Sequence, residues 1–283
     1  MELSNIGTIK DILTRHGFSF SKSLGQNFLV NPGIAPKMAA QGGASEGVGA
    51  LEIGPGIGVL TKELAKLADK VVAVELDQRL LPVLEETLAE HTNVEVIHGD
   101  ILKINLPELV KEKFAEKDIV VCANLPYYIT SPVIMLLLES RLPFKSITVM
   151  VQKEAAERIC APVGSREAGA LTVAVAYYAR AVRLFNVSRG SFMPPPNVDS
   201  SVIRLDILEK PPIEVEDEAG FFRMVKAAFG QRRKTALNAI SAGMGLPKER
   251  VARAIEAAGF DESVRAEKLK LEELAAIFGN LQA

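Results

Sequence analysis

Between residues 50 and 152 the chain alternates short apolar runs with longer stretches of helical periodicity. The runs ALEIG (50–54), KVVAVEL (70–76), NVEVIHG (93–99), DIVVCAN (118–124) and KSITVMVQ (145–152) are apolar on successive positions, which predicts strands buried on both faces. Between them GVLTKELAKLA, QRLLPVLEETLAEH and SPVIMLLLES read as helices. Strand and helix in strict alternation predict a parallel sheet covered on both sides. A further helical stretch at 166–179 precedes two antiparallel strands, AVRLFNV and DSSVIRLDI, joined by a loop containing SFMPPPN. Upstream, residues 5–16 predict a short helix stopped by Gly17, then an irregular SFSKSLGQNFLVN segment. Asn31 is expected to cap a second helix with Pro32 at its first position. The pattern changes at LEKPPIEVEDEA (208–219), a proline- and acid-rich connector. Beyond it FFRMVKAAFG, KTALNAIS, PKERVARAIEAAG and LEELAAIFG all read as helix. The expected division is therefore a large α/β domain over 1–210 and a small all-α domain over 211–283.

Composition narrows the chemistry. The net charge is −2 over 283 residues, so any affinity for nucleic acid rests on local clustering of charge. Two cysteines cannot build a disulfide framework, and Cys122, inside an apolar run, reads as a core residue. The three histidines lack ligand spacing and no CxxC or HExxH occurs, so no protein-bound metal is expected. The start MELSNIGTIKDIL has no cationic segment ahead of an apolar core, and no apolar run reaches membrane-spanning length. The reading is a soluble protein of a reducing, cytoplasmic compartment with no membrane partner.

The rim of the expected sheet carries the candidate chemistry. LEIGPGIGVLT (51–61) is a strand, a glycine turn and a helix start, with Gly54, Gly56 and Gly58 spaced G-x-G-x-G. Such glycines let backbone approach a ligand beside free helix N–H groups, which makes Gly54 and Gly56 cofactor-binding candidates. A tight strand-to-helix turn would need glycine on its own account. The next strand ends in Glu75, placed to accept both hydroxyls of a ribose. The third ends at Asp100, placed to accept from an adenine amine. The alternative for either acid is a helix cap, although Asp77 is already the natural cap beside Glu75. An adenosine compound follows, either a nicotinamide dinucleotide or S-adenosylmethionine.

NLPY decides between them. A conjugated exocyclic amine is a poor nucleophile. Two acceptors on its hydrogens, the Asn124 amide oxygen and the Leu125 carbonyl, draw its nitrogen toward tetrahedral geometry. Pro126 fixes the turn that presents them, and Tyr127 offers a face for a flipped base. Positive charge develops on the nitrogen as it attacks a sulfonium methyl, so these acceptors act most strongly in the transition state. Phe192, ahead of a rigid proline loop, is a candidate for the base's second face; a loop packed on its own domain is the other reading. No general base is required, because the methylated amine sheds its proton to water.

SLGQNFL, LEIGPGIGVLT, NLPYYIT, FMPPPNVDSSVIRL and AFGQRRKTALN together resemble the rRNA adenine dimethyltransferases, with the PPP and QRRKT runs favouring the small-subunit branch over the 23S rRNA macrolide-resistance branch. The resemblance spans about residues 20–240. It implies a Rossmann-like class I methyltransferase with a mostly parallel seven-stranded sheet, in which residues 1–45 cap the cofactor. It implies S-adenosylmethionine contacts from Asn27, Leu29, Gly54, Glu75, Asp100 and Asn124. From its residues alone SLGQNFL is only a polar loop with an apolar foot. The implied substrate is a pair of adjacent adenines in the 3′-terminal hairpin loop of 16S rRNA within the immature small subunit, each dimethylated at N6 by a monomeric enzyme. An assembly-checkpoint role is implied beside catalysis, and a mainly non-catalytic assembly factor is the competing class. Tyr128 stands where many members carry asparagine. Arg223, Lys226, Arg232, Arg233 and Lys234 form an acid-free basic run, expected to contact RNA phosphates, with a solvated helix face as the alternative.

Overall fold

A computed structural model of the chain describes residues 3–21, 24–115 and 117–282. Ser23, which opens the SLGQNFL motif, lies outside them, as do Met1, Glu2 and Lys22 of the expected capping segment.

In chain order the first elements are α1 (Ile6–Arg15), β1 (Phe28–Leu29), α2 (Ile34–Gln41), β2 (Val48–Ile53), α3 (Val59–Leu67), β3 (Lys70–Glu75), α4 (Leu81–Thr87) and β4 (Val94–His98). There follow α5 (Leu106–Phe114), β5 (Asp118–Asn124), α6 (Thr130–Glu139), β6 (Phe144–Gln152), α7 (Lys153–Ile159), α8 (Ala170–Tyr178), β7 (Ala179–Val187), β8 (Phe192–Met193) and β9 (Ser200–Ile207). The tail holds α9 (Glu218–Phe229), α10 (Ala236–Met244), α11 (Lys248–Ala257) and α12 (Leu271–Gln282). Five strands fall within two residues of their expected bounds. Of these, β2, β3 and β5 are buried over all but their ends, whereas β4, at the sheet edge, is buried at no position, contrary to the expectation for its run.

Seven strands form one sheet in the order β4-β3-β2-β5-β6-β9-β7. The first five pair in parallel, and β9 runs antiparallel to β6. The expected mostly parallel Rossmann-like sheet is therefore present. From β2 the chain steps outward to β3 and β4, then returns to place β5 on the other side of β2. Such a reversal opens a crevice at the carboxyl ends of the two central strands, where open α/β sheets bind ligands. Ala50, Cys122, Met150 and Val202 of the sheet pack with Ala35, Met38 and Ala39 of α2 and Leu60 and Leu64 of α3. A second apolar cluster joins α1, Phe28 and α4.

Two expectations need correction, and one feature was not foreseen. Helix α2 begins at Ile34, behind Gly33, and not at Pro32. Asn31 instead closes a turn, accepting from the Gly33 N–H at 3.1 Å. Two motifs far apart in the chain meet in an unforeseen ladder, with Phe28 opposite Met193 and Leu29 opposite Phe192. Second, the chain divides into two compact units, one of residues 1–156 and 182–207, the other of 157–181 and 208–283. The stretch 157–181 therefore groups with the tail and not with the rest of 1–210. The reason is helix α8, ALTVAVAYY, which is apolar almost all round. Its Tyr177 and Tyr178 hydroxyls donate to Glu218 of α9, and their rings pack on Phe222.

Candidate active site

The glycine turn after β2 forms as its spacing requires. Gly54 and Gly56 have φ of +71° and +62°, values that side-chain-bearing residues rarely adopt. A Cβ on Gly56 would also stand 3.2 Å from the Phe28 ring. Helix α3 then starts with no side-chain cap, leaving its first N–H groups to a ligand.

Glu75 ends β3 beneath this turn. Its Oε2 accepts from the Gly56 N–H at 3.1 Å and its Oε1 from the Asp77 N–H at 2.8 Å. Burial pushes its carboxyl above the ordinary range, against the pull of these donors. Asp77 caps the turn that follows, as expected. It pairs with Arg79 at 2.7 Å and accepts from Gln26 at 2.8 Å, and the Arg79 guanidinium holds its carboxyl below the usual value. Through Gln26 this network ties the N-terminal segment across the rim, a role the sequence reading did not assign. Asp100 accepts from the Leu102 N–H at 3.0 Å and lies 3.4 Å from Lys103, so it caps its own turn while facing the cleft.

On the far side of the switch point, Asn124 ends β5. Its Nδ2 donates to the Asn27 carbonyl at 3.3 Å. A carbonyl can only accept, so this contact fixes the amide's orientation and leaves Oδ1 as the free acceptor. Pro126, at φ −55° and ψ 132°, turns the chain into a short 3₁₀ segment of Tyr127–Ile129. The Tyr127 hydroxyl bonds Ser200 of β9 at 2.8 Å, which holds the ring in place, and burial raises the phenol's pKa. Tyr128 is 58% exposed.

Asn27, Leu29, Gly54, Gly56, Glu75, Asp100, Asn124, Leu125, Pro126, Tyr127 and Phe192 all line one cleft. Phe192 reaches it from β8, buried opposite Leu29, so it forms a fixed wall and not part of the proline loop itself. One acidic cleft residue escaped the sequence reading. Glu52 is 1% exposed in the floor, and the available signal was an acid inside the otherwise apolar run ALEIG.

The other unit carries the expected basic residues. Helix α9 ends at Phe229, so only Arg223 and Lys226 are helical; Arg232, Arg233 and Lys234 occupy the turn before α10. All five are exposed. Arg232 donates to the Arg166 carbonyl at 3.0 Å.

The profile of the ribosomal RNA adenine dimethylase family matches residues 17–283. The chain belongs to that family. It is 50% identical to the ribosomal RNA small subunit methyltransferase A of Geobacillus thermodenitrificans, over 98% of this chain and 96% of that protein. It is 48% identical to the Alkaliphilus oremlandii protein of the same name, over 96% and 95%. A dimethyladenosine transferase structure from Plasmodium falciparum superposes with a TM-score of 0.70 at 27% identity, covering 88% of this chain and 95% of that one. The 23S rRNA methyltransferase ErmE superposes with a TM-score of 0.67, also at 27% identity, covering 91% and 100%.

S-adenosylmethionine is the dimethylase's methyl donor, and when bound it supplies an electrophilic sulfonium methyl. The cleft's lining suits such a cation: among the described residues it includes Glu52, Glu75 and Asp100 but no lysine, arginine or histidine. Glu75 would hold the ribose, and Asn27, Leu29, Gly54, Gly56 and Asp100 the remainder. Asn124 and Leu125 line the same cleft, where the Asn124 Oδ1 and the Leu125 carbonyl would be the acceptors for an amine. Among the described residues no group of acids, histidines and cysteines could hold a metal, and no helix is long and apolar enough to cross a membrane.

Glu52 also makes a stability prediction. Burial, first, and the Glu75 charge push its carboxyl from 4.5 up to about 8, against the pull of Thr61. The folded chain thus holds a proton that the unfolded chain has lost. The resulting stability is complete below pH 4.5 and is lost as pH rises through about 8. In cofactor-free protein, stability should fall across that window with a slope approaching ~1.4 kcal/mol per pH unit from this group. Urea titrations of wild type and Glu52→Gln at several pH values should show the fall largely removed in the variant; parallel slopes would contradict the assignment.

Proposed function

We propose that this dimethylase converts two adjacent adenines in the 3′-terminal hairpin loop of 16S rRNA to N6,N6-dimethyladenine within the immature small subunit, acting as a cytoplasmic monomer. The observation that carries the chemistry is the Asn124 amide. Its nitrogen is committed to the Asn27 carbonyl, so its oxygen is left to grip an amine at the mouth of the cleft. The small-subunit target is supported by the names of the relatives that match nearly the whole chain.

The test is methyl transfer from labelled S-adenosylmethionine to unmethylated small subunits, naked 16S rRNA and large subunits. Incorporation should favour small subunits. Preferential labelling of large subunits would instead place the enzyme with the 23S rRNA methylases. After the first transfer the amine retains a single N–H for two acceptors, so the cleft must accept a monomethylated base. Mass spectrometry at completion should therefore find dimethyladenine, with the monomethyl form transient. Accumulation of monomethyladenine as the end product would refute this.

A further inference from the structure

Of the three carboxylates among the described residues of the cleft, two are engaged: Glu75 by backbone N–H groups, Asp100 by Leu102 and Lys103. Glu52 is not. It is 1% exposed and its Oε2 has no hydrogen-bond partner, a costly arrangement unless a ligand completes it. Register locates it. Glu52 lies opposite Ala73 of β3 and Cys122 of β5. Glu75 and Asn124 come two residues later on those same strands, so the period of two puts all three side chains on one face. Glu52 therefore sits one layer beneath the span between the ribose acceptor and the amine acceptor. A donor held by its ribose at Glu75 and by its methyl end at Asn124 would carry its sulfonium across that span.

We propose that Glu52 is a proton-linked counter-charge that discriminates the sulfonium cofactor from its neutral thioether product. The acid keeps its proton in the free cleft; when the cation is bound, the proton passes to solvent and the carboxylate remains as counter-ion. The inference rests on the methyl-transfer reading above.

The surroundings of Glu52 favour this behaviour. Its ionisable neighbours, Glu75 from β3 and the Cys122 thiol from β5, both ionise to anions. Helix α3 contributes the Thr61 hydroxyl, whose pull on the acid is weak because the two make no hydrogen bond of ordinary geometry; β6 places the neutral Thr148 beyond Cys122, and α2 contributes the apolar Met38. Nothing among these stabilises a carboxylate as a cation does, and burial already holds the acid protonated to about pH 8. An adjacent cation reverses that balance. The thioether lacks the sulfonium charge and has less to offer the ionised form.

Calorimetric titration of the full chain at about pH 6.5, in two buffers of different ionisation enthalpy, counts the protons released. At that pH α-amino groups, which titrate near ~7.7–8.0, remain charged on both ligands. S-adenosylmethionine should release roughly half to one proton per site and S-adenosylhomocysteine much less. Affinity for S-adenosylmethionine should also rise with pH toward about 8, by up to about tenfold per unit, while affinity for the thioether stays nearly flat. Glu52→Gln, close to isosteric, should abolish both the release and the pH dependence. Equal proton release by the two ligands in wild type would overturn the proposal without recourse to any variant. Release that survives in Glu52→Gln would also overturn it. Binding of neither ligand would overturn the methyl-transfer reading itself.

Discussion

Asn124→Ala should lower methyl transfer by on the order of a hundredfold to a thousandfold, the scale of losing a preorganised charge-stabilising acceptor. The amide is held by its own nitrogen on the Asn27 carbonyl at 3.3 Å, so Oδ1 would meet an amine without reorganisation. Its contribution grows as positive charge builds on the attacking nitrogen, which places the effect on turnover more than on binding. Cofactor affinity should fall far less, because the glycine turn and Glu75 lie on the other strands of the switch point. Single-turnover rates with saturating substrate, measured beside cofactor titrations, separate the two effects. Near wild-type turnover would remove Asn124 from its assigned role, whatever happened to affinity.

The sheet was legible because its strands obey a simple rule. Runs buried on both faces are apolar at nearly every position, and β2, β3 and β5 follow that pattern with bounds within two residues of those expected, Glu52 being the exception inside β2. The rim residues were legible because each follows such a run, so Glu75, Asp100 and Asn124 could be placed at its carboxyl end from sequence alone. Three features were hidden for physical reasons. A ladder of two-residue strands has no period, so nothing in FL or FM announces that Leu29 meets Phe192. Helix α8 shows from its composition that it must be buried, but not where. Its partners Glu218 and Phe222 lie beyond the acidic connector. Glu52 was masked by its motif, since an acid before a glycine turn draws less notice than the glycines do. Its burial and its orphaned oxygen give the weak sequence signal, an acid inside an apolar run, its meaning.

Replacing Arg232, Arg233 and Lys234 together with alanine should make RNA binding markedly less salt-dependent. Each phosphate neutralised by a basic side chain releases counterions, and log affinity falls with log salt by about 0.7 to 0.9 per contact. Three lost contacts should make that slope shallower by about 2 to 3 units. The structure strengthens the case for these three over Arg223 and Lys226. They sit together in the exposed turn between α9 and α10, where side chains can converge on a backbone without the spacing a helix imposes. None of the five forms an ion pair among the described residues, so their charge is not already neutralised. Arg232 spends one N–H on the Arg166 carbonyl, an uncharged acceptor that orients the guanidinium and leaves its charge intact. Because phosphate contacts position a substrate without reading its bases, binding should weaken alike across sequences. S-adenosylmethionine affinity should be unchanged, since every side chain of its cleft comes from the other unit. Filter retention of small subunits at several salt concentrations, for wild type and the triple variant, measures both slopes. An unchanged slope would return these residues to the status of ordinary surface charge.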